Sequence, residues 1–485
     1  MFDDTHRQDA LRYLMELDYE QDIYGELAVF HILQGEHVEK AMQSLQFTAD
    51  WFEHPHPQGR DLRGESDFAA IRMLCALYEP ECYDRLTDAV KLSLKRFYLE
   101  RDFSSIYGSE NHALMFHASR FLAAQFYQGE HFACYGISTE ECYEKELAYL
   151  HAFLDFRAGR GWGEFDSLGY AMEIMIILCT LHKYAKNQGL KNKCHMAMDV
   201  ILLDMMADSL GELYGGAHGR SYPQAVLNRQ QAPMVRLYRY YFGGRFYDGR
   251  EMNSVNIYLS DYVPSPVLYE IAADKRLPYE NRERKHLHCM SAWTGDIAWD
   301  TLEKEQGSIN KYTYVCQDYC IGSVNRQDDY SEETNEWDRG YARHQQHEWE
   351  LTLPGGDGHL IFTHHYAIPD YHKINNRWTG DHSCCCGSYY TNQNTAIAMY
   401  NIDNQKQLPL INAYVDLELF EEKLLEEKYL FLAYQKMYIS LYFDNGYRIN
   451  HEDEFAEKEL LSDGACASQS GLYSASISQE GYTVL

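Results

Sequence analysis

The sequence predicts a helical N-terminal region followed by a C-terminal region of antiparallel strands. Up to about residue 285, apolar residues recur three and four positions apart, which is the period of an amphipathic helix. From about residue 290, segments rich in β-branched and aromatic residues alternate with turn residues, as they do in antiparallel sheets. The chain has 485 residues, of which 45% are hydrophobic, and is therefore long enough for two or three domains with sizeable cores.

The helical region contains a series of segments of similar length joined by short polar turns. We predict helices at residues 8–17, 20–34, 37–52, 66–78, 82–99, 112–127, 139–157, 168–187, 191–210 and 223–242. Hairpinned helices of similar length favour a ring of helix pairs, an α/α toroid that is closed or incomplete, over residues 1–285. The loops 51–65 and 211–223 are long and rich in Gly, His and Arg, and such loops usually line a functional face.

The second region contains six β-rich segments with turn residues between them. They lie at residues 312–324, 347–354, 359–368, 394–402, 428–443 and 474–485. Alternation of apolar and polar residues in these segments predicts an antiparallel β-sandwich over residues 290–485, packed against the toroid. The last segment runs to the end of the sequence, which is compatible with a sandwich that is incomplete there.

The charge of the chain excludes several classes of partner. Lys and Arg number 43 and Asp and Glu number 73, a net charge of −30, and such a field repels nucleic acids and anionic lipid. The N-terminal residues show neither the basic nor the apolar region of a signal peptide. The most apolar stretch, 168–181, is too short to span a bilayer and contains Glu173. With thirteen cysteines, mostly isolated in helical patterns, these features predict a cytoplasmic protein with reduced thiols and no membrane or nucleic-acid partner.

An Asn-His pair stands at the start of one predicted helix, in the segment YGSENHALMF at 107–116. Asn111 and His112 place two chemically capable side chains in the first turn, directly before an apolar run. Such a pair on its own is more often a turn residue followed by a core histidine. Two further polar segments favour a functional interpretation.

The first of these segments, GRGWGEFDSLGY at 159–170, combines a glycine-rich loop with ring and carboxylate side chains. Glycines let the backbone approach a ligand closely, and Trp162 could stack on a sugar ring. Glu164 and Asp166 could act as acid or base, or could simply cap the helix that follows. Tyr170 lies in the first turn of that helix.

The second segment, YGGAHGRSYPQ at 214–224, contains His218, Arg220 and Tyr222. An arginine next to a tyrosine lowers the pKa of the phenol, because the cation favours phenolate. A tyrosine of this kind can transfer a proton near neutral pH.

Together these groups are suited to β-elimination on a uronic acid without a metal or cofactor. Asn111 would hydrogen-bond and neutralise the sugar carboxylate, with help from Arg220. His112 or a tyrosine would remove the C5 proton, and a tyrosine would protonate the departing O4. A positioned general acid or base contributes about 10²–10⁴-fold, and preorganised charge stabilisation often contributes more.

Other residues are candidates for contact with the substrate. In HPHPQGRDLRGESDF at 54–68, Arg60 and Arg63 could bind acidic sugar groups, whereas Asp67 is expected to cap the next helix. His218 and His347 could also reach a cleft between the two regions. A structural histidine at the domain boundary explains His347 equally well.

Five segments carry a resemblance to a known family: SENHALM, EFDSLGY, AHGRSY, RHQQHEWELTL (343–353) and RWTGDHSCCCGSYYTNQNTAIAMYN (377–401). They resemble segments of polysaccharide lyases of the alginate lyase and heparinase II/III type and of related uncharacterised bacterial proteins. The resemblance implies that Asn111 neutralises the carboxylate. It also implies that His112 shares the proton transfers with Tyr170 or Tyr222, and that Arg220 supports the tyrosine. An acidic oligosaccharide or polysaccharide is then the expected partner.

Three consecutive cysteines, Cys384, Cys385 and Cys386, keep a metal-dependent alternative open. Consecutive residues of a strand face opposite sides, so two thiolates with His382 or another nearby histidine would form the zinc site. Such a site would suit a glycoside hydrolase with a zinc-bound cysteine nucleophile, as in some retaining arabinofuranosidases. Reduced thiols in a packed turn are the simpler interpretation.

Two metal-free alternatives also remain. One is a hydrolase with paired carboxylates drawn from Glu110, Glu164 and Asp166, since helical toroids host many such enzymes. The other is a carbohydrate-binding protein without catalytic activity.

Overall fold

The structure is a computed structural model that describes residues 4–16, 24–50, 66–102, 110–221, 223–243, 254–274, 276–286, 308–327, 347–365, 387–400, 410–450 and 474–478. Its α-helices, in chain order, are α1 (Asp4–Glu16), α2 (Glu26–Gln34), α3 (Val38–Asp50), α4 (Ser66–Tyr78), α5 (Pro80–Arg85), α6 (Asp88–Glu100), α7 (Glu110–Phe126), α8 (Thr139–Arg160), α9 (Tyr170–Tyr184), α10 (Gln188–Ala207), α11 (Pro223–Leu227), α12 (Pro233–Phe242), α13 (Val255–Leu259) and α14 (Pro266–Ala273).

The strands are β1 (His131–Phe132), β2 (Ile137–Ser138), β3 (Ser209–Leu210), β4 (Leu213–Tyr214), β5 (Tyr279–His286), β6 (Ser308–Val315), β7 (Cys320–Gln327), β8 (Trp349–Thr352), β9 (Leu360–His365), β10 (Gly387–Asn392), β11 (Thr395–Tyr400), β12 (Leu410–Val415), β13 (Glu422–Leu425), β14 (Tyr429–Tyr434), β15 (Met437–Tyr442), β16 (Arg448–Asn450) and β17 (Ser474–Ser478). The predicted order of a helical region followed by an antiparallel sheet region is therefore confirmed. The first strand of the large sheet, β5, begins before the predicted start of the strand region at 290.

Two predicted helices are each divided in the structure. The segment 82–99 contains the end of α5 and most of α6, because the Thr87 side chain accepts a hydrogen bond from the Val90 N–H and starts a new helix. The segment 223–242 is divided into α11 and α12, and Pro233 at the first position of α12 lacks the N–H needed to continue a preceding helix. Among the described residues, none of the helices is both long and apolar enough to span a membrane.

Helices α4, α7 and α9 run parallel to one another. At their N-terminal side, His112 near the start of α7 contacts Asp67 near the start of α4 at 2.6 Å. At the other side, Gln125 near the end of α7 donates to the Tyr78 hydroxyl at 2.8 Å and to the Tyr184 carbonyl at 2.9 Å. Tyr78 and Tyr184 are the last residues of α4 and α9, so the N-terminal ends of all three helices lie on one side.

Helices α8 and α10 run in the opposite direction. Arg157 near the end of α8 pairs with Glu110 at the start of α7 at 2.8 Å. Lys311 pairs with both Asp166, which precedes α9, and Asp208, which follows α10. Helices α8 and α10 are therefore antiparallel to their neighbours α7 and α9, and α7 is buried along nearly its whole length.

The large sheet has eight strands in the order β16-β17-β12-β9-β8-β7-β6-β5, and each neighbouring pair is antiparallel. Side chains alternate between its two faces. Leu360 and Phe362 pack in the core of the helical region, whereas Ile361 packs in a second core. Residues of the smaller sheets β10-β11 and β13-β14-β15 complete that second core. The large sheet therefore separates the helices from the smaller sheets.

Candidate functional site

His112 is held by a carboxylate at the start of α7. Its Nδ1 lies 2.6 Å from Oδ2 of Asp67, and the other oxygen of Asp67 accepts the Phe68 N–H at 3.0 Å. The Phe68 ring meets the imidazole edge-on at 5.2 Å. Burial raises the pKa of Asp67, and His112 opposes that rise. A carboxylate on one ring nitrogen fixes the orientation and tautomer of the imidazole, an arrangement common where a histidine transfers protons.

Asn111 and His112 are both buried in this structure. Asn111 has 0% of its surface exposed and His112 has 4%. Contact between either side chain and a ligand therefore requires a rearrangement at the start of α7.

Glu110 connects three elements beside this pair. Its Oε1 accepts the Glu164 N–H at 2.6 Å, its Oε2 accepts the Gly163 N–H at 3.1 Å, and Arg157 pairs with it at 2.8 Å. Burial raises the pKa of Glu110, while Arg157 lowers it. Both oxygens thus fix the loop that precedes α9 against the start of α7.

Arg220 joins this loop to the segment that follows β4. It donates to Oε1 of Glu164, and its guanidinium carbon lies 3.8 Å from the centre of the Tyr170 ring. Ser167 strengthens the same junction, because its hydroxyl donates to the Arg220 carbonyl at 2.8 Å and accepts the Tyr170 N–H at 3.0 Å. Asp166 and Arg220 both have positive φ, which is uncommon for residues other than glycine and often accompanies functional sites.

Close backbone contact also holds the two segments together. The Gly219 N–H donates to the Phe165 carbonyl at 2.6 Å. A Cβ at position 219 would lie 2.8 Å from a Phe165 ring carbon and 2.9 Å from the Phe165 backbone nitrogen. Only glycine fits this approach, which brings Arg220 next to Glu164.

His218 and His347 pair across the boundary between helices and sheet. Each backbone N–H donates to the other residue's carbonyl, at 2.8 and 2.7 Å. His218 Nδ1 lies 2.9 Å from the Asp166 carbonyl, and its Nε2 lies 3.0 Å from Arg229. Burial, with a smaller effect of Arg229, lowers the pKa of His218 well below its ordinary value, so its neutral ring donates from Nδ1 and accepts at Nε2. His347 contacts Glu350 at 2.7 Å.

A buried charge cluster lies on the sheet side of Asp166. Lys285 donates to one oxygen of Asp166 at 2.5 Å and Lys311 donates to the other at 2.6 Å. Burial alone would raise the pKa of Asp166, but the two lysines hold it well below its ordinary range. Oxygens of Asp166, Asp208 and Glu283 lie within 4.8 Å of one another, a spacing compatible with a metal ion. The ammonium groups of Lys285 and Lys311 already pair with these carboxylates, so the cluster does not require a metal ion.

Comparison with known proteins gives a distant structural likeness. No family model matches the chain, and no curated protein matches it. The crystal structure of heparinase III aligns with 95% of this chain and 75% of its own, at 10% sequence identity and a TM-score of 0.31. A likeness this distant does not establish a family or an activity.

Contacts at one end of the helical region join three of the predicted site residues, Glu164, Tyr170 and Arg220, and Glu110 binds the Glu164 N–H there. At the same end His112 contacts Asp67, and Asn111 precedes His112 in the chain. These residues, together with Arg157, are called the network below. Trp162 is also nearby but is buried, with its ring centre 6.0 Å from that of Phe153. His218 and His347 are buried in the contact with the sheet, and their contact with a substrate stays a prediction. Seven predicted residues lie outside the described part of the chain: Arg60, Arg63, Tyr222, His382, Cys384, Cys385 and Cys386.

Four residues that hold the candidate site in place were not identified as such from the sequence: Asp67, Arg157, Lys285 and Lys311. Asp67 was expected to cap α4, and one of its oxygens does accept the Phe68 N–H, but the other binds His112. Lys285 and Lys311 lie on neighbouring strands and both bind Asp166. That shared contact could be predicted only if the register of the two strands were known.

A cavity of about 490 Å³ lies away from this network. Its wall is largely apolar and is formed by residues of α10, α12, α14 and the first strands of the large sheet, among them Met206, Tyr238, Ile271 and Tyr279. None of the predicted site residues lines it.

Proposed function

We propose that this protein cleaves a uronic-acid-containing glycan by β-elimination. The observation that supports this most directly is the meeting of three parallel helix starts. They carry Asp67, the Asn111-His112 pair and Tyr170, and Arg220 stacks on Tyr170 from a separate segment. The candidate acid, base and carboxylate-binding groups thus lie at the same end of the helical region.

The elimination assigns one task to each group. Asn111 hydrogen-bonds to the sugar carboxylate, which makes the C5 proton easier to remove. His112, oriented by Asp67, takes that proton. The electron pair forms the C4–C5 double bond as the C4–O4 bond breaks. Tyr170 or Tyr222 then donates a proton to O4.

Arg220 supports the proton donor in this proposal. Its guanidinium lies against the Tyr170 ring, where it would stabilise negative charge on the phenol oxygen after the proton leaves. Glu164 accepts a hydrogen bond from the same guanidinium and fixes its position. The N-terminal ends of α4, α7 and α9 add a positive field at the same end, which favours an anionic sugar.

We further propose that the helices form an α/α toroid and the strands a β-sandwich, with the boundary just before Tyr279. A ring of parallel inner helices with antiparallel outer partners would have the arrangement of α4, α7 and α9 with α8 and α10. The acidic oligosaccharide would bind at the end of the toroid that faces the sheet. The proposed chemistry needs no metal or cofactor.

The paired-carboxylate hydrolase is less well supported. Glu110 uses both oxygens to bind backbone N–H groups and also pairs with Arg157, so it is committed to holding the loop. Asp166 is likewise bound by two lysines. The zinc-cysteine alternative depends on residues outside the described part of the chain.

An absorbance screen with a panel of uronate glycans tests the proposal, with and without a chelator. Elimination forms an unsaturated uronate that absorbs ultraviolet light, and we expect this product to appear regardless of chelator. Loss of activity in chelator, or new reducing ends without absorbance, would contradict the proposal.

Asn111→Ala should abolish turnover in this screen, because the substrate carboxylate loses its neutralising partner. A matched control is Asn256→Ala, which removes a buried asparagine from another part of the helical region, where it donates to Thr180 and the Ile71 carbonyl. Both variants truncate a buried asparagine, so their unfolding should be measured in parallel. Undiminished turnover in Asn111→Ala would exclude the assigned role.

A further inference from the structure

We infer that Glu164 accepts a hydrogen bond from a hydroxyl group of the bound sugar, and that the glycan carries no sulfate at that position. This inference rests on the proposed function, because it assumes that the bound glycan contains a uronic acid. The need of Glu164 for a hydrogen-bond donor is independent of that function.

The two oxygens of Glu164 have different surroundings. Oε1 accepts from Arg220, whereas Oε2 is buried and has no hydrogen-bond partner. The side chain as a whole is 3% exposed. Leaving a carboxylate oxygen buried without a donor is costly, and buried polar groups are nearly always satisfied. A bound ligand that supplies a hydrogen-bond donor would remove this cost.

The charges around Glu164 indicate which donor fits. Asp67, Glu110 and Glu164 are the carboxylates of the network, and Arg157 and Arg220 are its guanidinium groups. Arg157 pairs with Glu110 and Arg220 pairs with Glu164, so the two ion pairs carry no net positive charge to balance a further anion next to Oε2. A sulfate there would face an unpaired carboxylate oxygen in a site of low dielectric, where like charges repel strongly. A neutral sugar hydroxyl meets no such barrier and can donate.

Access to Oε2 requires local opening, because the atom is enclosed in this structure. Tyr170 and Gly169 form the partly exposed edge of the network. The guanidinium of Arg220 contacts both Tyr170 and Glu164 and so links this edge to the buried carboxylate. The sugar would therefore enter at this edge and select the more open state.

The test compares a sulfated uronate glycan with the same glycan after chemical desulfation. Initial rates of unsaturated product and binding by titration calorimetry are measured for the full-length wild type, Glu164→Gln and Glu146→Gln. Glu146 is the matched control, because it is a buried glutamate bound by His117 and Arg120 between α7 and α8. The wild type should prefer the desulfated glycan by about tenfold or more, the usual effect of one hydrogen bond to a charged group.

The preference for the desulfated glycan, rather than the rate alone, distinguishes recognition from folding. Glu164→Gln removes the negative charge and should bring the preference close to unity. Glu146→Gln should keep it at the wild-type value even where its overall rate falls. Equal use of both glycans by the wild type, or an unchanged preference in Glu164→Gln, would overturn the inference.

The binding measurement separates this inference from the proposed function. If no glycan yields unsaturated product, the elimination proposal fails, but tighter binding of the desulfated glycan that is lost in Glu164→Gln still supports Glu164 as the acceptor. Equal binding of both glycans, or no binding of either, overturns the role of Glu164 as well.

Discussion

Lys311 reaches from the large sheet to Asp166 in the loop before α9, with 2.6 Å between Nζ and Oδ2. Lys285 on the neighbouring strand binds the other oxygen of the same carboxylate at 2.5 Å. Asp166 lies two residues after Glu164 and its carbonyl faces His218 at 2.9 Å. The sheet therefore positions the loop that presents Glu164 and Tyr170, although all three network helices belong to the other region.

Lys311→Met should destabilise the protein and reduce turnover. The substitution leaves Asp166 and Asp208 without the ammonium group that they share, and breaking a buried ion pair costs about 3–5 kcal/mol. Urea unfolding measures the loss. Lys145→Met is the control, because the Lys145 side chain is 62% exposed and pairs with a glutamate one turn away on the same helix. This variant should change the free energy of unfolding by no more than about 0.5 kcal/mol. Similar losses in the free energy of unfolding of both variants would show that the buried pairs of Lys311 stabilise the protein no more than an exposed ion pair does.

Asp67→Asn should lower kcat with little change in KM. Asparagine is close in shape but loses the charge that holds Nδ1 of His112, so the imidazole can adopt the wrong tautomer. Losses of orienting partners of this kind reduce activity by about 10–100-fold or more. The pH profile of kcat should change in the same variant, because the substitution removes the titratable Asp67 carboxyl, whose pKa is raised by burial. A fall in stability with an unchanged pH profile would instead indicate a purely structural Asp67.

The elements of this fold were predictable where a local pattern determines them. The apolar run after His112 predicted α7, and the apolar stretch at 168–181 predicted most of α9. The position of the Asn-His pair at a helix start was also correct. These features depend on neighbouring residues and on helical periodicity alone.

Contacts between distant segments were not predictable in the same way. The pairing of His112 with Asp67 joins residues 45 positions apart, and the pairing of Lys311 with Asp166 joins residues 145 apart. Each depends on how helices pack and on which strand residues face the helices. The sequence therefore indicated candidate groups such as His112 but not the charged side chains that contact them.

His218 should make the stability of the protein depend on pH. Burial lowers its pKa well below 6.5, so the folded ring stays neutral where the unfolded ring is protonated. The unfolded state then binds more protons below about pH 6.5, and stability is lost as the pH falls through that value and is fully present above it. Between about pH 7.5 and about pH 5.5, the loss from this group is about 1.4 kcal/mol.

Substitution of His218 by glutamine measures that contribution. Glutamine does not titrate, and its amide can donate to the Asp166 carbonyl and accept from Arg229 as the neutral imidazole does. As the pH falls over the same range, the free energy of unfolding of His218→Gln, measured in urea, should decrease by about 1.4 kcal/mol less than that of the wild type. His131→Gln changes an exposed histidine and should keep the wild-type dependence. An unchanged dependence in His218→Gln would show that this histidine is not the source.

Tyr170→Phe should remove turnover while leaving the fold nearly unchanged. Tyr170 is only partly buried, and phenylalanine keeps the ring on which Arg220 stacks, so the free energy of unfolding should change by less than about 1 kcal/mol. Loss of a general acid lowers kcat by about 10²–10⁴-fold. Tyr222→Phe, assayed beside it, is the decisive comparison. Full activity in Tyr170→Phe together with loss in Tyr222→Phe would transfer the proton-donor role to Tyr222, and Arg220 would then support Tyr170 only as a packing partner.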